Sequence, residues 1–306
     1  KQGYSVSISS DGLTIAVGAL GHDNNKGTVR AYSLVNDTPI AISQSEIMMI
    51  EQISDTTLTA MVSDRWSIGG TANGGYSMAI AAKALSKVLN HKDPLSISGH
   101  YLDRVVPGKL TIEIEPLKIG KSISTANVKL IQDGKEKIRF LGSFTDFSHA
   151  KGETFMHHEA PAFEPIEDCI KVPYKPGFSP NLELQIEKKY TSDSIWWKDT
   201  SLENNAQLNL YISWPNKEPY DLYSIILFLD ATTPPIFNRI GARGWVPTIS
   251  LSSHIRNFPA PGPLKAIAKT EYLVNGYLEE DREIWDSEGK LVGLSRQMAK
   301  LRLPKK

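Results

Sequence analysis

Asp230 closes the apolar run Ile225-Ile-Leu-Phe-Leu. A carboxylate in that setting is partly desolvated, which raises its pKa toward the range useful to a general base. The same position also suits a residue that ends or caps a helix. A second chemical feature is the glycine cluster Gly69-Gly70 and Asn73-Gly74-Gly75, which stands before a helical stretch. It lacks the Lys-Ser/Thr of a phosphate-binding loop and the spacing of a dinucleotide-binding turn, so phosphate cradling is not expected. His100 and His254 have no acid beside them in sequence and read as structural or surface residues. The loop His22-Asp-Asn-Asn-Lys-Gly27 offers one carboxylate next to a lysine, a poor set for calcium, and reads as a plain turn. No metal or cofactor is expected.

Bulk properties narrow the partners. Lys+Arg and Asp+Glu both number 34 in 306 residues, so no whole-molecule field draws in nucleic acid or an anionic membrane, although a local basic patch can still hold a phosphate. No run approaches the roughly 20 apolar residues that span a bilayer. The single cysteine, Cys169, cannot form an internal disulfide and fits a reducing compartment, so a cytoplasmic location is expected. The chain opens on Lys1 and not on a methionine, which reads as a chain lacking its true start.

The elements that must position Asp230 follow from periodicity. Tyr4 to Ile8, Leu13 to Val17 and Gly27 to Tyr32 read as short hairpin-linked strands, and residues 36–45 as a linker. Tyr76 to Leu89, rich in Ala, Met and Leu without Gly or Pro, predicts a helix that is apolar nearly all round and hence buried within a sheet. Four strand-like segments follow at 95–105, 110–117, 123–131 and 138–147. The second half repeats this order. His100 and His254 lie 154 apart, Gly108 and Gly262 154, Gly120 and Gly276 156, and Gly134 and Gly289 155. Tyr220 to Leu229 is then the second buried helix, and the proline-rich stretch between the copies is a connector.

A helix enclosed by an antiparallel sheet, present twice, is the α+β pattern of a double hotdog. Particular residues carry a resemblance further. Asp64-Arg-Trp-Ser-Ile-Gly-Gly with Asn73-Gly-Gly-Tyr, Leu229-Asp-Ala-Thr-Thr-Pro-Pro-Ile-Phe, Trp245-Val-Pro-Thr-Ile-Ser-Leu and Leu294-Ser-Arg-Gln-Met-Ala resemble, in order, four blocks of the thioesterase-like superfamily related to acyl-CoA thioesterase II. The resemblance implies acyl-CoA as partner, a water activated by Asp230, Thr248 and Gln297, and a homodimer. Asp230 would accept the proton while Thr248 and Gln297 orient the oxygen. Backbone N–H groups at Gly74 and Gly75, at a helix N-terminus, would meet the developing oxyanion. The positions matching that set in the first copy, near Tyr76, Pro94 and Ser143, offer no equivalent, so one site per chain is expected. The first 33 residues resemble one FG-GAP-type blade of a β-propeller, carried by Tyr4 to Gly12, Ile15-Ala-Val-Gly-Ala and Asn25-Lys-Gly-Thr-Val.

The expected organisation is a blade-like segment at 1–35, the linker 36–45, an N-terminal hotdog at 46–148, a connector at 149–182 and a C-terminal hotdog at 183–303. The sequence is compatible with two other functions. One is a non-catalytic acyl-thioester-binding or scaffolding protein. The other is an enoyl-thioester hydratase or dehydratase, against which neither predicted helix contains histidine. Trp196-Trp197 suits the wall of an acyl tunnel or the pinning of a loop equally well.

Overall fold

The computed structural model describes residues 4–8, 14–19, 28–33, 49–198 and 205–304. Contacts divide the chain into units Lys1–Ala41 and Ile42–Lys306. The first holds an antiparallel sheet of β1 (Tyr4–Ile8), β2 (Thr14–Ala19) and β3 (Thr28–Ser33), paired in chain order. The loop at 22–27 and the linker at 36–45 lie outside the described residues.

The second unit contains the duplication. Its first copy runs through β4 (Ile50–Gln52), β5 (Thr57–Val62), the two-residue strands β6 (Ser67–Ile68) and β7 (Thr71–Ala72), α1 (Gly74–Val88), β8 (Asp93–Tyr101), β9 (Gly108–Ile119), β10 (Ser124–Gln132) and β11 (Lys135–Thr145). The second runs through β12 (Glu187–Tyr190), β13 (Gln207–Ser213), α2 (Leu222–Phe228), α3 (Phe237–Ile240), β14 (Thr248–Ile255), β15 (Leu264–Lys269), β16 (Leu273–Val274), β17 (Tyr277–Trp285) and β18 (Leu291–Lys300). One sheet of 13 strands joins them in the order β12-β13-β15-β17-β18-β14-β8-β11-β10-β9-β5-β4, with β16 on β17. From the central β14–β8 pair outward, both halves have the same order of equivalent strands. This is a double hotdog.

The joint confirms the repeat residue by residue. His100 faces Ser250 and His254 faces Ser96 across β8 and β14, so a shift of 154 residues turns one pair into the other. The connector between the copies has no strand or α-helix over 150–180. It is tied down by the Ile170–Tyr190 bridge, by Lys265 Nζ donating to the Pro161 carbonyl at 2.8 Å, and by Tyr211 Oη donating to the Glu164 carbonyl at 3.1 Å.

Helix α1 begins where Asn73 caps it, its side-chain oxygen accepting the Tyr76 N–H at 2.9 Å. At the other end Lys92 Nζ donates to the carbonyls of Ser86 and Leu89, satisfying groups that a helix end leaves bare. Between them Tyr76, Met78, Ile80 and Leu85 are buried together with the intervening alanines, as an all-round apolar helix requires. Helix α2 is shorter than the predicted Tyr220 to Leu229. Asp221 is its capping residue, in a reciprocal pair with Ser224, and the turn after Phe228 leads to Pro234-Pro235, which cannot extend a helix.

Gly99 lies on β8 opposite Leu251 of β14. A Cβ there would come within 2.1 Å of the buried Phe140 ring. Gly99→Ala is therefore expected to destabilise the unit by about 1–3 kcal/mol through overpacking, read as a lower urea midpoint at unchanged slope.

Candidate active site

The chain leaves α2 through Leu229, Asp230, Ala231 and Thr232, and each of these residues is held by a different element. Ser295 Oγ donates to the Leu229 carbonyl at 3.0 Å, and Asn73 Nδ2 to the Asp230 carbonyl at 3.0 Å. Lys188 Nζ donates to the Ala231 carbonyl at 3.0 Å, and Arg282 Nε to Thr232 Oγ1 at 2.8 Å. These carbonyls lie just past the end of the helix, and buried backbone acceptors need partners. Here buried polar side chains supply them, and the segment is fixed.

The Asp230 carboxylate sits on the N-terminus of α1. Its Oδ2 accepts the Gly75 N–H at 2.8 Å and Asn73 Nδ2 at 3.1 Å, while Arg282 Nη1 lies 3.7 Å from Oδ1. A carboxylate at this end of a helix is favoured by the exposed amides and the dipole. Burial is nevertheless the larger effect and holds the Asp230 pKa above its ordinary value, against the opposing pull of Arg282, Gly75, Asn73 and Gly74. Arg282 also donates to Glu280 Oε2 at 2.5 Å and reaches Gln297 Oε1 at 3.5 Å. Glu280 is fully buried, and its pKa too is raised, chiefly by burial and in part by Asp230, with Arg282 opposing. Tyr101 Oη donates to the Gly74 carbonyl at 2.9 Å, and burial together with the nearby Asp230 charge raises its pKa well above the usual phenol value.

These side chains floor a cavity of about 1410 Å³ in the second unit. Asp230, Thr248 and Gln297 all line it, so the three residues expected to hold a water face one space. Gln297 shares the inward face of β18 with Ser295 and Ala299. Thr248 arrives there by a bulge. It pairs with Ala299 and Ser250 pairs with Met298, so Ile249 is the extra residue and Thr248 takes the inward register position. The first copy has the same irregularity at Leu95 of β8, between Pro94 and Ser96.

Gly74 also lines the cavity. The Gly75 amide, expected on an oxyanion, is taken by Asp230 Oδ2. The helix N-terminus thus serves the carboxylate, and that expectation is corrected to this extent. His100 and His254 do not line the cavity. Trp196 and Trp197 do, packed against Phe237 and Tyr190 respectively, so they pin local structure and wall the cavity at once.

The matching positions of the first copy need one correction. Register places Gly142 opposite Ile97, as Gln297 lies opposite Leu251, so Gly142 and not Ser143 is the counterpart of Gln297. Opposite Gly142 stands Ala126, and opposite Phe140 stands Val128, at the places that Glu280 and Arg282 hold in the second copy. The charged floor exists once. Glu280, Arg282 and Tyr101 were not singled out from sequence, and Asn73 was named only as part of the glycine cluster. The signal for two of them was the alternation Leu278, Glu280, Arg282, Ile284, which puts both charges on the apolar face of β17.

A double hotdog with one acid-bearing cavity formed by both copies defines a class, and comparison with known proteins defines the family. Residues 62–145 match the acyl-CoA thioesterase N-terminal domain, and residues 166–301 match the C-terminal domain. The chain belongs to the acyl-CoA thioesterase family, a family of thioester hydrolases. It is 33% identical over 193 residues to the thioesterase-like protein TwmA of Talaromyces wortmannii, covering 57% of this chain and 53% of that protein. It is 23% identical over 260 residues to the uncharacterized protein Rv0499 of Mycobacterium tuberculosis, covering 78% and 88%. Among solved structures, the acyl-CoA thioesterase II TesB2 of Mycobacterium marinum superposes with a TM-score of 0.68 at 18% identity, covering 85% of this chain and 98% of that one. A conserved hot dog protein of unknown function from Alicyclobacillus acidocaldarius superposes at 0.74 with 15% identity, covering 85% and 98%. Both show the fold.

The raised Asp230 pKa carries a sign for stability. The folded chain holds this proton more tightly than the unfolded chain does. Its contribution is therefore complete below the ordinary carboxylate value and is lost as pH rises through the raised folded pKa. Urea unfolding measured from about pH 4 to pH 8 is expected to show that decline, and Asp230→Asn to make it shallower, with the part due to Glu280 remaining. An unchanged slope in the variant would contradict the assignment.

Proposed function

We propose that the chain hydrolyses acyl-CoA thioesters to a free acid and CoA, with the attacking water held by Asp230, Thr248 and Gln297. The observation that carries this reading is a buried carboxylate facing the same cavity as a threonine and a glutamine, with a glycine in place of any side chain beside it. Asp230 takes a proton from water as its oxygen bonds to the thioester carbon. The tetrahedral adduct then re-forms its C=O bond and breaks its C–S bond, and the leaving thiolate takes up the proton that Asp230 had accepted, which restores the carboxylate. Thr248 and Gln297 orient the water, so that a bimolecular attack becomes a positioned one. Gly74 lets the thioester approach, since a Cβ there would stand 2.8 Å from Asp230 Oδ2 and 3.2 Å from the Tyr101 ring. Trp196, Trp197 and Phe237 offer the acyl group an apolar wall.

Charge at the cavity favours an anionic handle on the substrate. The acids lining it are engaged: Asp103 with Lys135 and Lys137, Glu183 with Lys188, and Asp230 and Glu280 with Arg282. Arg104, Lys175, Lys198, Lys300 and Arg302 line it too, and none of them has an ion pair among the described residues. Unpaired cations of this kind suit the phosphates of CoA.

Thiol release from acyl-CoA tests the reading. Asp230→Asn is expected to lower kcat by about 10²–10⁴-fold, the usual worth of a general base. The acidic limb of the unmodified enzyme should lie above the ordinary carboxylate value. Gln297→Ala is expected to lose more than about twofold, roughly half a kcal/mol of barrier. Full activity in Asp230→Asn rejects the mechanism, and release from no acyl-CoA rejects the substrate.

The same assay tests the handle. Arg104→Glu and Lys175→Glu, both at exposed positions, are expected to raise KM several-fold with little change in kcat, and added salt to narrow the difference. An unchanged KM would remove the basic rim from the binding site.

A further inference from the structure

Two buried carboxylates share one buried cation. Asp230 and Glu280 flank Arg282, with Nη1 3.7 Å from Asp230 Oδ1 and Nη2 2.5 Å from Glu280 Oε2. Arg282 is 3% exposed and Glu280 0%. With both acids ionised, this floor would carry a net negative charge away from water, a state that burial opposes. One retained proton removes that charge.

The surroundings decide where the proton rests. Asp230 Oδ2 accepts donors from Gly75 and Asn73, and its carboxylate lies on a helix N-terminus, all of which favour the anion. Glu280 has one partner, Arg282, on Oε2, while its Oε1 is buried with no hydrogen-bond partner among the described residues. An anionic oxygen left without a donor is costly to bury. A proton on Oε1 removes the charge from the oxygen that has no donor, and leaves Oε2 free to accept from Arg282.

We propose that Glu280 is the seat of the single proton held by the Asp230–Arg282–Glu280 cluster, and that by holding it Glu280 keeps Asp230 ionised at rest. Glu280 is in this sense a positioning residue for charge, acting through Arg282. The assignment deepens the reading of Asp230 as the base and rests on it for its purpose. The groups facing the cluster agree with it. Asp230 enters from the loop after α2, Arg282 from β17 and the neutral Gln297 amide from β18, while the Tyr101 phenol on β8 faces Asp230. Lys188 is committed to Glu183 and the Ala231 carbonyl, so it does not neutralise Glu280. The raised pKa of both acids fits a pair that titrates together.

Infrared spectroscopy in heavy water reads the proton directly. The unmodified enzyme at neutral pH is expected to show a protonated-carboxyl C=O band, which is absent in Glu280→Gln. In the unmodified chain, grown with isotopically labelled glutamate, that band should shift, a result that does not depend on how the variant folds. The pH profile of kcat/KM gives a second readout. Gln imitates the protonated acid, so the acidic limb set by Asp230 is expected to stay in place in Glu280→Gln. A limb displaced to lower pH would mean that Glu280 carried the negative charge, and would overturn the proposal. So would a missing band, or a band insensitive to the glutamate label. A labelled band in a chain without thioester hydrolysis would keep the proton on Glu280 and reject the catalytic reading instead.

Discussion

The contact between the Asp230 carboxylate and the N-terminus of α1 is the constraint from which the site follows. A buried carboxylate needs donors, because in the protein interior it loses several kcal/mol of hydration. Those donors come from the other copy, as the Gly75 N–H and the Asn73 amide. For them to reach, the start of α1 must lie against the end of α2. A Cβ on Gly75 would stand 2.7 Å from Asp230 Cβ and 2.8 Å from the Leu227 carbonyl, so glycine is what permits the approach. The β8–β14 joint holds the two copies in that relation. Neither copy makes the site by itself.

Duplication supplies the frame twice but the charges once. On equivalent inward positions the first copy places Ala126, Val128 and Gly142 and the second places Glu280, Arg282 and Gln297. Equivalent strands therefore support an apolar interior on one side and a charged floor on the other. The packing differs accordingly. The room under Gly142 is filled by Leu85, whose Cδ1 would lie 2.5 Å from an added Cβ. At the corresponding place in the second copy Gln297 extends toward Arg282. The helices diverge in the same sense. The first is a continuous α1 of 15 residues, and the second stops after seven, which frees the segment that carries Asp230.

The fold was legible because its signals are local or periodic. The apolar helix, the turns and the landmarks near 154-residue spacing each survive without knowledge of the tertiary contacts. The site was legible where a residue stood out against its neighbours, as Asp230 does after five apolar residues. It was hidden where composition and register disagree. Glu279-Glu-Asp-Arg-Glu283 is five charged residues in a row, yet the pleat sends Glu280 and Arg282 inward with Leu278 and Ile284. Thr248 depends on a bulge, which no alternation rule announces, and an offset of one residue turned Gly142 into Ser143. The partner of the Gly75 amide lies 155 residues away in the chain. Sequence showed a helix N-terminus able to hold negative charge but not which negative charge would claim it.

The layout of charge gives the cavity a direction. Its exposed cations, such as Arg104, Lys175 and Arg302, are unpaired among the described residues, whereas its buried floor has its acids gathered on a single Arg282. An anionic group is attracted to the outer part and gains nothing at the floor, where the one cation is already shared and burial would strip its water. An uncharged carbonyl pays no such desolvation and can approach Asp230 past Gly74. Under the proposed function, a molecule with a phosphate end and a neutral thioester end would thus be oriented before any specific contact formed. In the proposed reaction the same gradient would act on the product: an ionised acid formed beside Asp230 would meet a like charge once Asp230 had returned its proton, which would drive it off the floor and toward the cationic rim.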